Sequence, residues 1–213
     1  CSTKWMTGTV NSFFIGFVAT FIATTLGTLA ALGLSRPHMP YKGLIMAILI
    51  SPMIVPLIIT AAGMFFFYAR INLVYTFTGV ILAHVALATP FVVITVTATL
   101  VGFDMNMVKA SQSLGAKPMK TFFKIIMPLI LPGVISGALF AFITSFDEVV
   151  VVMFMASLDQ LTIPKQMWAG IRQEISPVIL CMATCLVILS IFLLTTVELL
   201  RRRSEKMRGI TSR

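Results

Sequence analysis

The chain has 213 residues, of which 58% are apolar and only 11% charged, with a net charge of +9 and a mean hydropathy of +1.01. A soluble domain carries roughly a quarter charged residues, so this composition excludes an ordinary water-soluble fold and implies apolar faces turned to lipid. The positive charge does not mark a nucleic-acid binder, because the basic residues sit in short segments between apolar runs, where they orient a membrane protein.

Taken in order, the chain reads as an all-α, polytopic membrane helical bundle of about five spans forming one transmembrane domain over 1–213. Cys1 stands where an initiator Met is expected. It reads as a lipidated N-terminus or, preferably, as the start of an incomplete sequence. The first span is expected over 10–34, broken only by small or hydroxyl residues such as Gly16, Thr20, Thr24 and Gly27 that suit close helix contact. Arg36, Pro37, His38, Pro40 and Lys42 form a basic turn. The second span, 44–67, holds Pro52 and Pro56, which remove helical donors and kink or open the helix.

The third span, 78–101, contains His84 and Pro90. A lone intramembrane histidine reads as a relay or binding group, or, as preferred here, as a neutral side chain hydrogen-bonded to a neighbouring helix. A long polar segment, 102–125, follows with four lysines, and a fourth span is expected over 126–146. Asp147 and Glu148 end that span, and Val149–Ala156 is an apolar octet too short to cross. It reads as a re-entrant start to an outer loop, 147–177, whose Trp168 suits an interfacial anchor. The last span, 178–200, carries Cys181 and Cys185 as small packing residues and leads into a basic tail, 201–213.

Charge counting gives the orientation. The segments that share a side with 102–125 and the tail hold twelve Lys or Arg, and those on the other side hold four. That places the C-terminus and 102–125 in the cytoplasm.

Within 102–125, Asp104 or Asn106 suits a helix start and Gly115 a helix stop. Met107, Ala110, Ser111 and Leu114 recur at helical spacing as a face of small and flexible side chains. Pro118 suits the first turn of a second short helix. A helix-turn-helix of this kind either seats in a partner's groove or lies on anionic lipid through its lysines.

Ala110, Gly115 and Ile126-Met-Pro128 resemble the cytoplasmic loop of permease subunits of binding-protein-dependent type I ABC importers. That pattern is Glu-Ala-Ala, a glycine four residues later, then Ile-x-Leu-Pro. Here Lys109, Ser111 and Met127 replace its Glu, second Ala and Leu, so the carboxylate of the pattern is missing. The similarity extends through most of the chain. Ser145-Phe-Asp-Glu-Val-Val-Val-Val and Leu161-Thr-Ile-Pro164 look most like the second permease subunit of spermidine/putrescine importers.

The resemblance implies a permease in the bacterial inner membrane that uses alternating access. Its implied partners are a cytoplasmic ATPase dimer, a second and paralogous permease, a periplasmic solute-binding protein and membrane lipid. ATP and Mg²⁺ would sit on the ATPases, with no cofactor and no catalytic residue in this chain, which has no Walker phosphate loop. Met107, Ala110, Ser111, Leu114, Gly115 and Ala116 would couple to the ATPase, and Ser145, Asp147 and Glu148 would line the solute path. An acid pair at a membrane boundary needs water, a partner or a bound cation, and a polyamine supplies ammonium groups on a flexible stem. The alternative is that both acids are solvated or pair with Lys165 or Arg172. Another small organic solute (an opine or an amino-acid derivative) and a non-transporting membrane scaffold are the competing functions.

Overall fold

In lipid, helices gain nothing from hiding large apolar side chains, and they associate through small residues that let backbones approach. Helix α1 (Thr3–Leu34) follows that rule. It buries Ala19, Ala23, Gly27 and Ala31 at four-residue intervals and turns Phe14, Phe17, Phe21 and Leu29 outward. The computed structural model describes residues 3–36, 39–101, 106–173 and 177–207. Among them are ten α-helices, one π turn and no strand.

The remaining helices are α2 (Lys42–Ile54), α3 (Leu57–Arg70), α4 (Phe77–Val101), α5 (Asn106–Ser113), α6 (Pro118–Thr121), α7 (Met127–Phe146), α8 (Val150–Met155), α9 (Ile163–Gln173) and α10 (Pro177–Met207). Helices α1, α4 and α7 pack on one another as the core. Their contacts are close because glycines face Val92 and the threonines of α4. A Cβ placed on Gly27 would lie 2.7 Å from the Val92 Cβ, and one on Gly137 would lie 2.5 Å from the Thr95 Oγ1. The hydroxyls of Thr89, Thr95 and Thr99 donate back to carbonyls of their own helix, so these three polar groups are satisfied while the small side chains pack.

The expected second span is not one straight helix. Helices α2 and α3 meet at 104°, so among the described residues four continuous helices are long and apolar enough to cross a membrane, with a fifth crossing only if the bent pair counts as one. The two prolines act differently. Pro52 stays inside α2, where it cannot donate to the Ile48 carbonyl, and the Ser51 hydroxyl donates to that oxygen instead at 2.8 Å. Pro56 breaks the helix, because the residue before a proline is driven out of the helical region. Val55 accordingly lies at φ −69°, ψ 137°.

A π turn over Phe122–Ile126 joins α6 to α7, with the Met127 N–H donating five residues back to Phe122. Pro128, next in the chain, cannot donate to Lys124, and the widened turn absorbs that loss. Pro118–Phe146 is thereby one rod of 29 residues.

The two ends of the bundle differ. At one end the chain turns after α1 and through α5 and α6, among Arg36, Lys42 and the four lysines of 109–124; this is the basic end. At the opposite end, α8 and α9 are stapled to the starts of α1 and α4. Asn11 Nδ2 donates to the carbonyls of Asp159 and Leu161 at 2.8 and 3.0 Å, and the Ile163 N–H donates to Ser12 Oγ at 2.9 Å. The Tyr75 N–H donates to the Met155 carbonyl at 2.9 Å.

Gly137→Ala is expected to cost about 1–3 kcal/mol, since the added methyl has nowhere to go in a packed core. Gly33→Ala places its methyl where no atom of the described residues lies within 4 Å, and it gains up to about 1 kcal/mol through helix propensity. Unfolding of the two variants in mixed detergent micelles measures both.

Candidate functional site

At the basic end, α5 stops as the sequence requires. Gly115 takes φ +78°, the left-handed conformation that a side chain disfavours. Its N–H donates to the Gln112 carbonyl at 2.9 Å, and the Ala116 N–H donates to that of Ser111 at 3.0 Å. That pair of bonds is the Schellman arrangement, which satisfies the last carbonyls of a helix. The turn places Met107, Ala110, Leu114 and Gly115 in the open, Leu114 being 88% exposed, with Ala116 half-buried.

Ser111 does not join them. It is 6% exposed, and its hydroxyl meets Thr121 Oγ1 at 2.9 Å and the Val108 carbonyl at 2.8 Å. The sequence reading placed Ser111 on the outward face; in the fold it points inward and fastens α5 to α6. Lys109 is exposed on the same helix, and its carbonyl accepts from the Ser113 hydroxyl. Asp104 lies outside the described residues.

At the opposite end, Ser145, Asp147 and Glu148 part company. Ser145 is buried, with its Oγ 2.8 Å from Nδ1 of His84 on α4. The histidine, 1% exposed, thus has the neighbouring-helix partner preferred for it, while its Nε2 has no hydrogen-bond partner among the described residues. Glu148 is 7% exposed and turns back on α8, where its carboxylate accepts the Val151 N–H at 2.8 Å and lies against the amides of Val149 and Val150. Burial pushes its carboxyl up, those amides pull it back down, and the neighbouring Asp147 charge adds to the rise.

Lys165 occupies the other end of α8. Its ammonium donates to the carbonyls of Val152 at 3.2 Å and Ala156 at 2.9 Å, and burial pushes the group below its ordinary value. A six-residue helix with buried Val151, Val152 and Met155 therefore has an acid on its free amides and a cation on the carbonyls at its other end, that of Val152 also accepting the Ala156 N–H. The sequence offered no local signal for this role of Lys165, which stands thirteen and nine residues beyond the two carbonyls it caps. Arg172 instead lies over the Trp168 ring, 5.9 Å from its centroid.

Asp147 remains. It is exposed at the end of α7, beside a cavity of about 100 Å³ shared with Pro164 and with Leu189 and Ser190 of α10. Loss of water on that side pushes its carboxyl up. Among the described residues no cation lies within ion-pair distance of either acid.

The two sites are therefore the ends of one rod: an exposed turn at 106–116, the helix 118–146, and an open carboxylate at 147. The sequence profile of the family described as "Binding-protein-dependent transport system inner membrane component" matches residues 23–206. The chain belongs to this family. Its membership makes it a multi-pass inner-membrane permease component, a transport subunit rather than an enzyme.

The spermidine/putrescine transport system permease protein PotC of Haemophilus influenzae is 31% identical over 196 residues, covering 92% of this chain and 76% of that protein. PotC of Escherichia coli K12 is 32% identical, over 92% of this chain and 73% of its own length. The putrescine transport system permease protein PotI of the same strain is 28% identical, over 86% and 71%. Among solved structures, an inward-facing conformation of the MetNI methionine ABC transporter superposes with a TM-score of 0.69 over 98% of this chain and 96% of that one, at 20% identity. An amino acid ABC transporter solved with histidines gives 0.68 over 94% of each chain at 16% identity. At such identities the likeness is one of fold.

Glu148→Ala is expected to expose the amides of 149–151 and to cost about 1–3 kcal/mol, the desolvation of donors left bare in the interior. Glu148→Gln keeps an acceptor oxygen and restores most of the loss. Hydrogen exchange resolved over residues 149–155 distinguishes the two.

Proposed function

We propose that this chain is a permease subunit of a polyamine importer, which carries a spermidine- or putrescine-like cation across the inner membrane by alternating access. The observation that carries the reading is the single rod from the exposed turn to Asp147. A force applied at 106–116 reaches the carboxylate through 29 residues of helix, about 44 Å at 1.5 Å per residue. The names of the relatives supply the solute class, and a half-open, unpaired carboxylate suits an ammonium group.

In this mechanism, Met107, Ala110, Leu114, Gly115 and Ala116 seat in a cleft of a cytoplasmic ATPase dimer, and Ser111 positions the turn through Thr121. Lys109 stands where the family's pattern has an acid, so the docking is carried by shape and apolar contact. The basic end and the C-terminus face the cytoplasm, in keeping with the twelve-to-four distribution of Lys and Arg. A solute-binding protein delivers cargo to the opposite end, and a second, paralogous permease completes the path. ATP drives the cycle because the ATPases bind it with different affinity in the outward- and inward-facing states.

Asp147 is the primary solute ligand of this chain. Glu148 holds α8 in place and adds negative potential, and Ser145, fixed by His84, sets the end of α7. Loss of one charge-assisted contact lowers affinity by about ten- to a hundredfold. Asp147→Asn is therefore expected to cut uptake of labelled spermidine and putrescine into proteoliposomes of the full complex by at least about tenfold at low solute. Assembly and ATP-bound closure stay intact. Unchanged uptake by Asp147→Asn removes the carboxylate from the path, and uptake of only a neutral or anionic solute removes the polyamine.

A further inference from the structure

The basic end contains a groove of about 400 Å³ that the coupling turn does not use. Its apolar wall is Leu32 and Leu100, from the last turns of α1 and α4, with Phe122 and Ile126 from the start of the rod. Its polar rim carries Arg36 and Gln112. We infer that this groove is a binding site for an anionic phospholipid, with the headgroup phosphate on Arg36 and the upper acyl chain along Leu32 and Ile126.

Three observations support that occupant. First, the groove lies where two membrane-crossing helices end and the polar segment begins, which is the level of lipid headgroups. A water-soluble ligand has no need of that placement, whereas a lipid presents its phosphate and its first methylenes there.

Second, the charge is complementary. Arg36 is exposed and has no ion pair among the described residues, and its planar guanidinium suits a phosphodiester in two-pronged fashion. Residues 106–126 add four lysines and no Asp or Glu, so this described stretch beside the groove is basic.

Third, the docking face is elsewhere on α5. The groove takes Val108 and Gln112 from that helix, while Met107, Ala110 and Leu114 do not line it. A lipid and a protein partner are thus not in competition. A lipid seated here touches α1, α4, α5 and the rod together, so it braces the turn against the core whichever solute is carried.

The test uses the full chain in lipid nanodiscs. Trp5 and Trp168, the chain's two tryptophans, belong to the opposite end, so Phe122→Trp places a reporter in the groove whose signal is the difference from the parent chain. Quenching is compared between brominated phosphatidylglycerol and brominated phosphatidylcholine. The expected result is a preference for phosphatidylglycerol of about two- to fivefold, the worth of a partly exposed charge pair. That preference is lost in Arg36→Gln and kept in Lys109→Gln. Ile126→Trp serves as a second reporter if Phe122→Trp does not fold.

Equal quenching by the two lipids overturns the inference. So does a preference that survives Arg36→Gln and disappears in Lys109→Gln, since attraction would then be diffuse. Relief of the preference by millimolar inorganic phosphate points to a soluble anion instead of a lipid and also overturns it. A reporter that neither lipid quenches shows that the groove is closed to the bilayer, with the same consequence.

Discussion

A backbone amide or carbonyl released inside an apolar layer has no water to turn to, and leaving it bare costs several kcal/mol. The irregular parts of this chain depend on how that demand is met. Pro52 frees the Ile48 carbonyl, and the Ser51 hydroxyl takes it. Pro128 frees the carbonyl of Lys124, and the backbone widens into a π turn. The short helix α8 frees amides at its start, which Glu148 covers, and at its end Lys165 donates to the carbonyls of Val152 and Ala156. At these three places the loss of regular bonding comes with a nearby polar group or a local change of winding.

Those repairs leave a rigid centre and two open ends. Glycines and alanines bring α1, α4 and α7 so close that a single methyl meets the opposing helix, and a core so packed moves as a body. Backbone geometry changes sharply at two places outside that core, the 104° corner between α2 and α3 and the turn at Gly115. In the proposed mechanism the ATPases act on that turn, and the rod from Pro118 to Phe146 carries the displacement to Asp147. His84 then has a clear part, since its bond to Ser145 fixes the far end of the rod to α4. A rod loose at that end would transmit little.

Much of this was legible in the chain itself. Long apolar runs separated by basic turns define a polytopic helical protein, and Gly115 between two short helical patterns marks the turn after α5. The family followed from Ala110, Gly115 and Pro128 despite three departures from the pattern. Less legible were features that depend on distant parts of the chain. Two prolines four apart predict a break, but the 104° angle depends on what α3 packs against, namely α8. Ser111 lies on the same helical face as Ala110 and Leu114 by spacing, and only the return of α6 with Thr121 turns it into an internal fastener. The adjacent acids looked equivalent in sequence. Helix α8 separates them, because an acid three residues before a free amide caps it while its neighbour is left outside. Lys165 and the Arg36 groove carry no local signature, since each is assembled from segments far apart in the chain.

The measurement that tests the central claim most directly is ATP hydrolysis by the wild-type chain purified with its co-expressed transporter subunits and reconstituted with the solute-binding protein. The account predicts that an ATPase co-purifies and that spermidine or putrescine raises its turnover several-fold, while an uncharged solute of similar size does not. A complex that forms but responds only to another solute would contradict the polyamine assignment and leave the permease intact. A chain that binds no ATPase would contradict the coupling role given to residues 106–116, and with it the mechanism.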